Sequence, residues 1–190
     1  MFDDLFRRCL GGALILIILP LPFGRGREAQ IDQLHVALND GTLSVDFRVL
    51  GAFTGEVEEV IASGLPVTFH HMLRAYRRRA AWIDERVSEK LVTTSVTFDT
   101  LTKQYRVSRT IDGQMVDTLV TDKAEDMKNW MTVFEKISLS SEDPVETLDR
   151  LYVKVKSEIQ NRFVFFFIPW DFETEWTKSD LIQDDEPIQP

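Results

Sequence analysis

Cysteine is nearly absent from this sequence: the 190-residue chain has one, Cys9, and it sits in an apolar N-terminal stretch. The rest of the chain must therefore be held together by packing and not by disulfides. Positive charge is also scarce. The formal net charge is −9, and the first 26 residues, with Asp3, Asp4, Arg7, Arg8 and Arg25, leave about −10 for the remainder. Nucleic-acid binding, which wants a net basic surface, is disfavoured, as is broad adsorption to anionic lipid. Catalytic signatures are missing as well. There is no Gly-x-Ser-x-Gly elbow, Gly24-x-Gly26 does not lie between a strand and a helix, and acidic residues such as Asp84, Glu85 and Asp99 carry no local acid/base signature. With three histidines and no helical His-x-x-x-His pair, the sequence calls for no metal and no cofactor. A non-enzymatic protein is expected.

The longest apolar run is Leu10–Phe23, preceded by Arg7 and Arg8 and followed by Gly24-Arg25-Gly26-Arg27. That order is the n-region and h-region of an export signal. The run is shorter than the roughly 20 apolar residues of a comfortable span, so residues 1–27 read as an export signal or an uncleaved signal-anchor. Lipidation of Cys9 is disfavoured, because a lipoprotein signal has its apolar stretch before the cysteine. Arg7 and Arg8 keep the N-terminus cytoplasmic. The expectation is a single globular extracytoplasmic domain over 28–177, facing the periplasm, anchored to the inner membrane or released from it, followed by an acidic mobile tail over 178–190.

Within the domain, Ile31–Leu38 and Leu43–Leu50 flank Asn39-Asp40-Gly41-Thr42, and Leu43, Val45, Phe47 and Val49 alternate cleanly with polar residues. This predicts a hairpin. Phe53–Ser63 switches to helical spacing, with Thr54 as N-cap and Gly64 just past the end. Pro66–Ile83 and Val87–Asp99 read as an antiparallel strand pair, and Leu101–Ile111 with Gln114–Val120 as a hairpin turning at Asp112-Gly113. Asp122–Lys136 reads as a second helix with the stripe Met127, Trp130, Met131 and Phe134, opened by a capping box of Asp122 and Glu125. Leu148–Ser157 and Phe163–Ile168 read as late strands. Strands outnumber helices, so the fold class is α+β, β-rich, an antiparallel sheet or two-sheet sandwich carrying two short helices behind an N-terminal hydrophobic segment.

Two features stand out as candidate binding sites. Arg74, Arg77, Arg78 and Arg79 concentrate guanidinium groups in an acidic chain. On a strand, Arg74 and Arg78 share one face with Tyr76 and Trp82, while Arg77 and Arg79 share the other. Guanidinium forks suit carboxylate or phosphate, so the cluster is a candidate anion or partner surface, against the plainer alternative of a charged strand paired with neighbouring acids. The second feature is the aromatic concentration Phe163, Phe165, Phe166, Phe167, Trp170, Phe172 and Trp176, which suits an apolar ligand, a partner or a membrane interface, but equally a buried strand with its cover. His70 and His71, being adjacent on a strand, point to opposite faces and do not share a ligand.

Several joins carry a family resemblance from Ile31 through Trp176: Ala62-Ser63-Gly64-Leu65-Pro66-Val67-Thr68-Phe69, the Arg-rich strand with Trp82, Phe98-Asp99-Thr100-Leu101 leading to Gln104-Tyr105-Arg106-Val107, and the late Ile168-Pro169. Together they resemble an uncharacterised bacterial envelope family, number four thousand three hundred and ninety among domains of unknown function. In that family a hydrophobic leader precedes one domain. Some members are encoded near a sensor kinase of nitrogen regulation, which implies an envelope or signalling role by association and brings no site residues. The sequence thus leads to a periplasm-facing envelope domain that binds a protein or an anionic or apolar ligand. Its expected partner is an envelope or inner-membrane protein, with the membrane contacted through the N-terminal segment if that is uncleaved. An accessory to a membrane sensor kinase and a periplasmic enzyme with a dispersed site are the competing readings.

Overall fold

A computed structural model describes residues 29–39, 42–80, 83–139, 150–159 and 173–182. The N-terminal segment, Trp82, the run Phe163–Ile168 and Trp170 lie outside them. The described chain forms two antiparallel sheets with two short helices, as the strand-rich pattern predicts.

The smaller sheet has the order β1-β2-β7, from β1 (Gln30–Asn39), β2 (Thr42–Leu50) and β7 (Val133–Leu139). The alternating run of β2 buries Leu43, Val45, Phe47 and Val49, the face chosen by pattern alone. The larger sheet has the order β6-β5-β4-β3-β8-β9, from β3 (Val67–Arg77), β4 (Glu85–Asp99), β5 (Gln104–Ile111), β6 (Gln114–Thr121), β8 (Leu151–Ile159) and β9 (Thr177–Lys178). The β5–β6 turn is Asp112-Gly113 with φ of 49° and 81°, two positive values that match the right-handed strand twist. The β4–β5 turn is held by Asp99, whose Oδ1 accepts from the Leu101 and Thr102 amides at 3.0 Å each; these bonds lower its carboxyl pKa.

Helix α1 (Gly55–Ala62) starts at Thr54, whose Oγ1 accepts the Val57 N–H at 3.4 Å. It ends before Gly64 at φ +86°, where a Cβ would meet the Phe98 carbonyl oxygen at 3.3 Å, so glycine is needed on both counts. Helix α2 (Ala124–Thr132) is shorter than its apolar stripe predicts. Lys123 takes the cap position with no side-chain bond, so the Asp122/Glu125 capping box does not form.

The chain from Val133 onward is strand β7, not helix. Phe134 is a strand residue facing Phe47, and Lys136 sits in a bulge at φ 55° with its N–H bonded to Asp46 Oδ1 at 2.6 Å. The bulge explains the misleading pattern. It shifts the buried residues to Phe134, Ile137 and Leu139, which breaks the period-2 signal and leaves Phe134 in helical register with Met127, Trp130 and Met131.

The two sheets close over one core. Phe47 and Phe134 of the small sheet stack at 4.5 Å and meet His71 of the large sheet at ring distances of 6.0 and 4.4 Å. Phe69, Leu73, Val92, Val96, Val153 and Val155 complete the large sheet's inner face, and Val57, Ile61, Met127 and Met131 cover the ends from the helices. Arg109 ties α2 down, with its guanidinium 4.4 Å from the Trp130 ring and donating to the Trp130 and Val133 carbonyls at 2.5 and 3.3 Å. No helix among the described residues is long and apolar enough to cross a membrane.

After β8 the described chain resumes at Glu173 and lies along the outer edge of that strand. Thr174 N–H donates to Ser157 O at 2.8 Å, Ser179 N–H to Val153 O at 2.9 Å and Ile182 N–H to Leu151 O at 2.9 Å. Pairing therefore extends into the stretch read from sequence as a mobile tail, as far as Ile182.

Candidate anion-binding site

The arginine-rich stretch spans the end of β3 and the loop after it. Strand β3 alternates as expected up to Ala75, with Phe69, His71 and Leu73 buried and Arg74 and Tyr76 on the outer face. Arg74 Nε donates to Glu89 Oε2 at 2.8 Å, and its guanidinium lies 4.7 Å from the Trp176 ring. It is a paired, stacked residue that fastens the C-terminal strap, residues 173–182, to the sheet. Arg77 shares the inner-face parity; its Nη1 is 3.5 Å from Glu85 Oε2 and its buried Nε finds no acceptor among the described residues. Arg79 Nη2 reaches the same Glu85 oxygen at 2.7 Å. One carboxylate is thus divided between two guanidiniums. The structure does not gather the four arginines into one patch, because Arg74 and Arg77 belong to opposite faces of the strand.

Arg78 and Arg79 do converge, with a residue the sequence does not flag. The β3–β8 register ends at Arg77 opposite Leu151, so the next position sets Arg78 against Arg150, and the Arg78 N–H donates to the Arg150 carbonyl at 2.9 Å. Arg78, Arg79, Ala80, Arg150 and Leu181 line a cavity of about 370 Å³. Neither Arg78 nor Arg150 has a carboxylate within ion-pair distance among the described residues. Like charges directly opposite each other destabilise a strand pair. Arg150 adds backbone strain, with φ at 81° where a residue other than glycine is disfavoured.

The acids around the cavity are engaged elsewhere. Asp84 accepts from Tyr152 Oη at 2.6 Å and from the Arg79 N–H at 3.3 Å. The Tyr152 bond is the main reason its carboxyl pKa is lowered, with the charges of Lys178 and Arg78 adding to it. Burial, then the same bond, pushes the Tyr152 phenol up to about 12. The outer face beside the cavity continues the positive character. Tyr76 and Tyr152 stack at 5.4 Å, Lys178 lies 3.7 Å from the Tyr152 ring, and Lys154 lies 5.3 Å from Tyr76.

Arginines that line one cavity without acidic partners can offer spare guanidinium donors to an oxyanion through bidentate, charge-assisted bonds. Arg150→Gly is a direct probe of whether Arg150 is kept for that purpose. It removes a charge and a strained φ together, so the domain should become more stable by about 0.5–1 kcal/mol in urea unfolding while losing anion affinity. A loss of stability would mean that Arg150 serves the fold.

The histidines separate as predicted. His71 is fully buried; its Nδ1 is 2.8 Å from Ser157 Oγ and its Nε2 is 3.3 Å from Thr94 Oγ1, whose own hydroxyl is 3.5 Å from the Met131 carbonyl. Burial, then the charge of Arg109, lowers its pKa to about 3, so it is a neutral core residue. His70 lies on the other face against Thr93. No group of three or more His, Cys, Asp or Glu is placed to hold a metal among the described residues. Trp176 is the member of the aromatic concentration that is described, half-buried between Arg74 and Lys156.

Searches of curated proteins and of solved structures each returned no match. A family model described as Domain of unknown function (DUF4390) matches residues 26–180, a stretch that takes in both sheets, both helices and the strap as far as Asp180, Trp176 included. A match of that extent settles the relationship that the Ile31–Trp176 joins suggested, and the chain belongs to the DUF4390 family of domains of unknown function.

Proposed function

We propose that this is a non-enzymatic, periplasm-facing envelope domain that binds an anionic ligand at the cavity of Arg78, Arg79 and Arg150. The observation that carries the reading is that cavity: three arginines line one concavity in a chain of net charge −9, two of them without an acidic partner among the described residues. Charged surface strands usually pair with their neighbours, and Arg74, Arg77 and Arg86 do so here. Arg78 and Arg150 depart from that pattern at one concavity, which supports reading the place as a binding site over an edge-protection device. The export pattern of residues 1–27 supports a location at the inner membrane, with the domain on its outer side.

Calorimetric titration with pyrophosphate at low ionic strength tests the reading. The wild-type domain should bind, the Arg78→Gln/Arg150→Gln pair should bind at least about 10-fold more weakly, and Arg106→Gln, an exposed arginine on β5, should leave affinity unchanged. Equal binding by all three proteins would remove the cavity from consideration.

A further inference from the structure

We propose that the cavity takes a phosphomonoester, a phosphate group carrying an organic substituent, and that Leu181 of the C-terminal strap forms the wall for the organic part. This rests on the anion-binding reading and names its ligand class. The charge argument comes first. Arg78, Arg79 and Arg150 line the space, and the carboxylate that pairs with Arg79, Glu85, is already shared with Arg77. A single carboxylate ligand offers two oxygens to three forked donors, whereas a phosphate dianion offers three oxygens and nearly twice the charge.

Size supplies the second argument. At about 370 Å³ the cavity lies at the lower end of the range for small-molecule sites and holds roughly a dozen waters' worth of liquid volume, far more than a bare inorganic anion fills. Among the described residues the remaining lining is apolar, from Ala80 and Leu181. Leu181 is held there by its neighbours, since Ser179 N–H donates to Val153 O and Ile182 N–H donates to Leu151 O at 2.9 Å each. The arginines thus come from the β3 and β8 ends, and the larger apolar side chain, Leu181, comes from the strap. Asp84 is turned to Tyr152 and the Arg79 amide, and the charged residues that line the cavity among the described ones are all arginines, so an incoming dianion meets guanidinium groups first.

Phosphomonoesters reach such a site from solution or as lipid headgroups, and the same chemistry serves both. The full chain is titrated with glycerol phosphate, inorganic phosphate and acetate, and separately with phosphatidylcholine vesicles with and without phosphatidic acid. Glycerol phosphate should bind about 10-fold tighter than inorganic phosphate and acetate more weakly than either. Leu181→Ala should bring glycerol phosphate and inorganic phosphate together, while Arg78→Gln/Arg150→Gln should abolish both. Vesicle binding that needs phosphatidic acid and is lost in the arginine variant assigns the lipid source; glycerol phosphate binding without it assigns the soluble one. If inorganic phosphate binds as tightly as glycerol phosphate, and vesicles with and without phosphatidic acid behave alike, the phosphomonoester proposal fails while the anion site stands. If no anion binds, both fail.

Discussion

Acid should unfold this domain earlier than its carboxylates alone would dictate, because His71 is buried neutral. Its folded pKa of about 3 lies below the ordinary 6.5, so as pH falls the unfolded chain takes up the proton first. Above pH 6.5 neither state is protonated and the contribution is complete. Below it, stability falls by about 1.4 kcal/mol per pH unit until the folded pKa is reached, a total on the order of 5 kcal/mol. That is comparable to the whole stability of many small domains, roughly 5–15 kcal/mol. Asp84 and Asp99, whose pKa values are lowered in the fold, act in a separate window below the ordinary carboxylate pKa of 3.8. Urea unfolding at pH 8, 6.5, 5.5 and 4.5 therefore isolates the histidine. His71→Gln should be less stable at pH 8 by about 1–3 kcal/mol, through imperfect replacement of the Ser157 and Thr94 bonds, but nearly flat across the same range. A wild-type protein as stable at pH 4.5 as at pH 8 would contradict the assignment.

Phe134→Ala should cost about 3–5 kcal/mol, the loss expected for truncating a fully buried aromatic. Phe134 is where the two sheets meet: it stacks on Phe47 at 4.5 Å, contacts His71 at 4.4 Å, and lies 4.8 Å beneath the Arg109 guanidinium that also caps the end of α2. The cavity left behind opens between sheets already tied by their own ladders, so neither can collapse fully into it. Leu101→Ala, at a side chain 93% exposed in the β4–β5 turn, should change stability by no more than about 0.5 kcal/mol. Thermal and urea unfolding of both variants measure the contrast. A Phe134→Ala loss below about 1 kcal/mol would place the junction elsewhere.

The strands that follow one another in sequence were legible because their signals are local. Alternation in β2, the Asp112-Gly113 turn and the helix stop at Gly64 each act within a few residues, and the structure keeps all three. Strand β7 was hidden for a physical reason: the bulge at Lys136 removes the period that identifies a strand and leaves a helical one in its place. The site was half legible. Composition singles out Arg78 and Arg79, but Arg150 is distant in the chain and meets them only because β8 pairs with β3, an association no local signal encodes. Pairing of the C-terminal stretch with the other edge of β8 brings in Leu181, from a stretch whose acidic composition suggested that it stays undocked. Arg74 shows the converse, since it belongs to the sequence cluster but spends its charge on Glu89 and its plane on Trp176.

The central claim is that the arginine end of the large sheet is an anion site. Its most direct test is an amide NMR titration of the domain with pyrophosphate. The account predicts that the largest shifts fall on Arg78, Arg79, Ala80, Arg150 and Leu181, with smaller ones at Tyr152 and Lys178, and that they vanish in Arg78→Gln/Arg150→Gln. Shifts spread evenly over the exposed lysines and arginines, or centred on Arg106 and the β4–β5 turn, would contradict it.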